Sequence, residues 1–584
     1  MEKYFNNYKI FYFLIFFTLI YFQSMFGQLT IPSDHQLQSI IEKLQNGRIE
    51  ELTVKDSEGL PDKCGLSLMF ELQQNYQYFS SEQKSMIKKL LAPTERQKSV
   101  IVGNFRIHYD TSGIHTPSML TPSNERMLTD KNYVKNWLDS SRVITQFVDS
   151  TAQIFNYVWD YIVNTLGYDT LRFEIGDNAY NIYISDLSYY GEIRWEPSSP
   201  LNPGQIPSRY ATWILIDNDF MDVYTPSRGL PGLKVTAAHE LHHAIQLGGY
   251  GFRDQDRYFY EITSTWIEDV IYDNINDYYQ YIKNSAGQPR GHFANPGKSF
   301  IATDWVIEYS RAIWGKYIQE RFSPAVMRRT WELMGIDSIN QNSIKSLDDA
   351  LKQINSTLKI AFVEFAKWNY FTGNRAVPGS YYSEAPNYPL IKECSTIELI
   401  GPSRTYTDSI ETFSSLYLPV LYQGKKVTEI INNINFESAS NHWILPYRFN
   451  YILSSTKVDD SYRDLGNGVF VMLDVSDPWN WSIGGLITTT QRSVVVFPNP
   501  FVTERNKSIQ FLLPSTKDIT SKLYVYTSNM ELVFSNEYLI NNYEPKINWN
   551  VTDARGNVLN SGIYLYVIIL NNREHVGKFA VVRR

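Results

Sequence analysis

Hydrophobic and polar positions change rhythm several times along this chain, and each change marks a different kind of element. The front is basic at Lys3 and Lys9, apolar from Ile10 to Phe22 (IFYFLIFFTLIYF), then small at Ser24 and Gly27. That apolar run is shorter than the ~20 residues a bilayer-spanning helix needs, and its basic flank fits a secretory signal. Residues 1–27 are therefore expected to be a signal peptide cut after Gly27, with Met25 at −3 an imperfect fit; an uncleaved anchor is the alternative. Residues 28–98 are polar, helical in places such as Ser80 to Leu91, and end in the loop APTERQKS. They predict an N-terminal prosegment or subdomain.

From Ser99 the pattern turns strand-like (SVIVGNFRIHYD), then helical from about Asn132 to Leu166. Strands follow at Tyr180 to Asp186 and Tyr210 to Phe220, and helical periods run from Leu233 to about Trp368, with loops around Gly287 to Gly297. Residues 99–388 are expected to form one mixed α/β domain. Beyond Tyr388 short alternating segments bounded by Gly, Asn, Asp and Pro predict two β-units, 389–490 and 491–584. The expected fold class is multidomain α+β: a mixed α/β catalytic domain followed by all-β sandwich domains.

Length agrees with several units, since 584 residues at about 150 per domain make roughly four. The chain is 43% hydrophobic and 20% charged, which suits packed cores rather than disorder. Its formal charge of −7 lacks the cation excess of a phosphate-backbone binder, so no nucleic-acid partner is expected. The two cysteines, Cys64 and Cys394, are too few for a disulfide scaffold; a single bridge between them and two separate buried thiols both stay open.

Three of the nine histidines fall in the segment VTAAHELHHAIQ, Val235 to Gln246. With histidine this rare, a chance HExxH is expected in about one such chain in a hundred. Leu233, Ala237, Leu241 and Ile245 recur at helical spacing, Pro231 and Gly232 precede them, and Gly248 and Gly249 supply the expected stop. On a helix, His239 and His243 share a face one turn apart and can offer two imidazoles to one metal ion, with Glu240 beside them. His242 is a rival second ligand at i+3, and an inert polar cluster is the bland alternative.

A catalytic zinc site needs a third protein ligand. The metzincin continuation would put Gly at 246 and His at 249, where this chain has Gln246 and Gly249. Glu261 follows His243 by eighteen residues in the helical segment YFYEITSTWIED. With Tyr258, Phe259, Ser264, Trp266 and Glu268 around it, this segment resembles the glutamate helix of the gluzincin metallopeptidases. The resemblance implies a zincin-like domain holding one Zn²⁺ through His239, His243 and Glu261, with Glu240 as general base toward a water molecule. Glu268 and Asp269 compete for the third-ligand role, orient the ligands from behind, or are solvated charges at the rim.

The resemblance further implies an edge strand that pairs with an extended peptide, and YATWILIDNDF fits, with a plain core strand as the alternative. It also implies a tyrosine that stabilises the oxyanion, for which Tyr309 in EYSRA is the candidate and His292 a weaker one. Arg311-Ala312 stand where the family has Lys-Gly. The Gly-x-Met-Glu-Asn segment of the aminopeptidase branch is missing upstream of His239, which favours an endopeptidase acting on proteins or peptides. From 99 to 370 the order of segments is similar to a largely uncharacterised family of secreted bacterial metallopeptidases.

The C-terminal run VVVFPNPF, IQFLLP, LYVYTSNMELV and GKFAVVRR predicts an antiparallel sandwich of about ninety residues. It resembles the flagellar hook-capping immunoglobulin-like module and the sorting domains of type IX secretion, with Pro498-Asn499-Pro500 opening the first strand, Asp553 to Asn557 turning, and Gly577-Lys578 starting the last strand. That implies outer-membrane secretion machinery as a partner and an extracellular or cell-surface location. A spacer or adhesive module is the alternative. For the whole chain the rival is an adhesion or glycan-binding protein with a structural or vestigial zinc site.

Overall fold

A computed structural model of the chain describes residues 32–45, 63–118, 141–174, 176–304, 306–400, 403–422, 425–454, 463–464, 469–474, 495–497, 499–503, 508–513, 519–528, 531–540, 546–570 and 573–583. The expected signal peptide lies outside them. Among the described residues no helix is long and apolar enough to cross a membrane. The architecture is multidomain α+β, with helices and several sheets.

The central sheet is built from β1 (Lys98–Val102), β2 (Phe105–Tyr109), β3 (Tyr180–Ser185), β4 (Gly191–Trp195) and β5 (Thr212–Asp217) in the order β1-β2-β3-β5-β4. β1 and β2 form a hairpin whose turn needs Gly103 at φ +61°. β3 runs parallel to β2 and β5, while β4 runs antiparallel to β5. The edge next to the HExxH helix is therefore β4, and the expected edge strand at 210–220 is an interior one. All six β5 residues are buried, as a continuous apolar run covered on both faces must be.

The HExxH helix spans Leu230–Ile245, with Pro231 in its first turn, and is buried along nearly its whole length. It does not stop at Gly248 and Gly249: a π-turn continues through Gln246–Tyr250, and Gly251 at φ +93° ends it. The glycines inside that turn serve close approach instead, since a Cβ on Gly249 would stand 2.9 Å from Asp169 Cβ. A second helix, Arg257–Ile271, packs against the first and carries Glu261.

Among the described residues, those before 98 have no core of their own. Leu37, Ile40 and Ile41 from the Asp34–Gln45 helix, Leu66, Phe70 and Leu72 from the Leu66–Asn75 helix, and Ile87 and Leu91 from the Ser81–Leu91 helix join the core that holds β4 and the HExxH helix. Phe70 lies 4.6 Å from Phe252 and 5.1 Å from Tyr260, ring centre to ring centre. Each such burial contributes roughly 1.5–3 kcal/mol, so this segment is part of the folded body.

Among the described residues after Tyr388 the strands dominate as expected, interrupted by a short helix at Phe436–Ser440. The C-terminal unit has its own core around Phe511, Trp549, Tyr566 and Phe579. Its topology corrects three expectations. Asn499 and Pro500 lie between strands Val495–Phe497 and Phe501–Val502 instead of opening the first, and Gly577 sits mid-way along strand Arg573–Val582. The sandwich is also not purely antiparallel, because Phe501–Val502 pairs in parallel with Val581–Val582. Gly577 is needed where it is: a Cβ there would collide with the Tyr566 hydroxyl. The turn at Asp553 to Asn557 stands, closed by Asp553 N–H on the Asn557 carbonyl at 2.8 Å.

Candidate metal centre

The two helices bring His239, His243 and Glu261 together as the spacing predicts. Glu261 Oε2 lies 3.3 Å from His239 Nε2 and 3.4 Å from His243 Nε2, and the two Nε2 atoms are 3.0 Å apart. Tetrahedral bonds of about 2.0–2.1 Å place ligand atoms ~3.3 Å from one another, so these three atoms fit one metal ion. Glu261 Oε2 is buried and accepts no conventional hydrogen bond, an orphan that a cation would satisfy.

The other ring nitrogens are engaged from behind. His239 Nδ1 donates to Glu268 Oε1 at 2.7 Å, and His243 Nδ1 donates to Gln246 Oε1 at 2.7 Å. These partners leave both Nε2 lone pairs directed at the cluster. Gln246 uses its amide oppositely, donating to His242 Nδ1 at 3.0 Å and Thr263 Oγ1 at 2.9 Å. His242, held also by Ser264 at 2.9 Å, is thereby turned away, and the structure does not bring it into the group.

Glu268 and Asp269 are likewise outside the group. Glu268 sits behind His239, and Asp269 accepts from Lys316 Nζ at 2.6 Å. Glu240 lies beside the cluster, its carboxyl pushed up to about 8 by burial, with Glu261 and Glu192 adding to the shift and His239 opposing it. Tyr309, on the short helix Ile307–Ser310, has its ring centre 6.3 Å from that of His239, and burial with Glu261 nearby keeps its phenol protonated. His292 instead accepts from Asn369 Nδ2 at 3.1 Å and packs on Phe365. Arg311 is a buried clamp that donates to the carbonyls of Phe300 at 2.9 Å and Ala302 at 3.0 Å.

One member of the group was not expected. Cys64 Sγ, buried, completes a four-residue set whose ligand atoms all lie within 4.8 Å of one another. No disulfide joins Cys64 to Cys394, which settles that pair as two separate thiols. Gln246 and Lys63 were also missed. Gln246 was legible one turn after His243; Lys63 and Cys64 come from a distant segment that no local pattern ties to the motif.

No protein-family model matches the chain, and no curated protein does. The gluzincin resemblance thus rests on the motif residues themselves. Parts of two solved structures from Porphyromonas gingivalis align with it: PorZ, a surface component of the type IX secretion system, at 15% identity over 29% of this chain and 23% of that one, with a TM-score of 0.14; and dimeric latent PorU, at 12% identity over 32% of this chain and 19% of that one, with a TM-score of 0.15. The chain thus matches about a fifth of the length of each.

Proposed function

We propose that this protein is a secreted zinc-dependent peptidase, an endopeptidase acting on proteins or peptides. The observation that carries the reading is the convergence of His239 Nε2, His243 Nε2 and Glu261 Oε2 within 3.0–3.4 Å, with Glu240 one residue after a ligand. Two imidazoles and a carboxylate suit zinc, which when bound supplies Lewis acidity toward a peptide carbonyl and a water. Glu240 accepts a proton from the attacking water and returns it to the leaving amine. Tyr309, kept protonated by burial, donates a hydrogen bond to the carbonyl oxygen as charge develops there. Edge strand β4 offers the backbone groups that an extended peptide pairs with.

The C-terminal sandwich we assign to sorting through outer-membrane secretion machinery, on the resemblance of its sequence segments and on the turn at Asp553 to Asn557. This agrees with a signal peptide and a cell-surface or extracellular location.

The test uses full-length protein and Cys64→Ser, each with and without Glu240→Gln, at one zinc per chain on a mixture of unfolded proteins. Cleavage that depends on Glu240 in either background supports the reading. Bound zinc with no cleavage in any of the four shifts the assignment to an adhesion or glycan-binding protein with a structural ion.

A further inference from the structure

Given the zinc-peptidase reading, on which this inference rests, the geometry points to Cys64 as a fourth metal ligand, delivered by the N-terminal segment to hold the enzyme latent. Catalytic zinc sites keep one position open, whereas closed four-ligand sites are inert. Cys64 Sγ lies with the three ligand atoms in one set and 3.7 Å from Glu240 Oε2, so the thiol is beside both the general base and the ion's place. That is where an attacking water has to be.

The segment carrying Cys64 is seated as a bound peptide would be. Cys64 bridges in parallel to Gly191 at the start of β4, and Gly65 N–H donates to the Gly191 carbonyl at 3.3 Å. The approach is so close that a Cβ on Gly65 would collide with Glu192. One residue earlier, Lys63 Nζ enters a buried acidic seat, donating to Glu268 Oε2 at 2.8 Å and pairing with Asp277, above the Tyr190 ring at 4.6 Å. Glu268 is the residue behind His239, so this anchor and the metal ligand share one carboxylate. An occupant held by backbone pairing, a salt-bridged anchor and a soft sulfur ligand closes the cleft from within the chain. Binding the ion requires the thiolate, the thiol proton passing to solvent, and opening reverses that exchange.

The test loads the full-length chain with Co²⁺ in place of zinc and records its near-ultraviolet spectrum, then labels thiols with iodoacetamide and locates the adducts by mass spectrometry. We expect a sulfur-to-cobalt charge-transfer band in the wild type that Cys64→Ser lacks. Cys64 labelling should be at least about tenfold slower with metal than after chelation, with the Cys394 rate unchanged. With zinc, Cys64→Ser should hydrolyse unfolded protein at least about tenfold faster than the wild type. No thiolate band together with metal-independent labelling overturns the proposal, and the wild-type labelling reads this even if Cys64→Ser folds poorly. Equal hydrolysis by wild type and Cys64→Ser overturns latency while leaving the peptidase reading intact. A thiolate band with a folded, zinc-loaded Cys64→Ser that never hydrolyses overturns both, and marks a closed structural site.

Discussion

Glu268 accepts a hydrogen bond from His239 Nδ1 at 2.7 Å, while Glu261 meets Nε2 of the same ring at 3.3 Å. Two carboxylates from one helix therefore address one imidazole from its two nitrogens, and their roles separate. If Glu261 is a metal ligand as proposed, Glu261→Ala should lower zinc affinity far more than Glu268→Ala. Loss of a partner behind the ligand typically costs about 10–100-fold. Isothermal titration of both variants checks the order, and a larger loss in Glu268→Ala exchanges their roles.

Lys63 is 1% exposed and pairs with Glu268 and Asp277 at 3% and 1% exposure. Burial opposes its charge, yet Asp277 and Glu268 raise its pKa above the usual lysine value. Lys63→Met leaves two buried carboxylates without that cation, which costs about 3–5 kcal/mol when one partner of a buried pair is removed. Urea denaturation should show a midpoint shift of that size at unchanged slope; a loss below about 1 kcal/mol would place the pair among weak surface bridges.

Tyr309→Phe keeps the buried ring and deletes only the hydroxyl. If the phenol meets the oxyanion, kcat falls by about 10²–10³ while zinc content and thermal midpoint hold. Steady-state kinetics on the Cys64→Ser protein measures this, and an unchanged kcat removes Tyr309 from the mechanism.

His292 makes stability depend on acid. Burial lowers its folded pKa to about 3 from an ordinary 6.5, with Arg311 adding to the shift. The unfolded chain then binds the proton more readily between those values, so its share of stability is full above pH ~6.5 and is lost as pH falls toward 3. His292→Gln, which retains a polar partner for Asn369, should flatten the dependence of stability on pH across that window. An unaltered slope would mean that other groups carry it.

The pair of helices was legible because the chemistry dictates local spacing: i and i+4 put His239 and His243 on one face, and aromatic neighbours marked the helix of Glu261. The β5 strand was found but misplaced in the sheet, since the run WILI looks the same at an edge as in the interior, and the true edge GEIRW is five residues with little periodicity. Gly248 and Gly249 looked like a helix stop because glycine punctuates helices, while here their lack of a Cβ admits Arg172 and Asp169. Cys64 could be counted but not placed, because 175 residues separate it from His239 and only the packed core brings them together.

Proton transfer by Glu240 is the step on which the proposed zinc-peptidase reaction depends. Its most direct measurement is kcat/KM of zinc-loaded Cys64→Ser against an unfolded protein, beside the same protein carrying Glu240→Gln with equal zinc content. A loss of about 10²–10⁴ at unchanged stability is the predicted result, the size expected for a positioned general base. Equal rates in the two proteins, or hydrolysis that persists after the zinc is stripped, would contradict it.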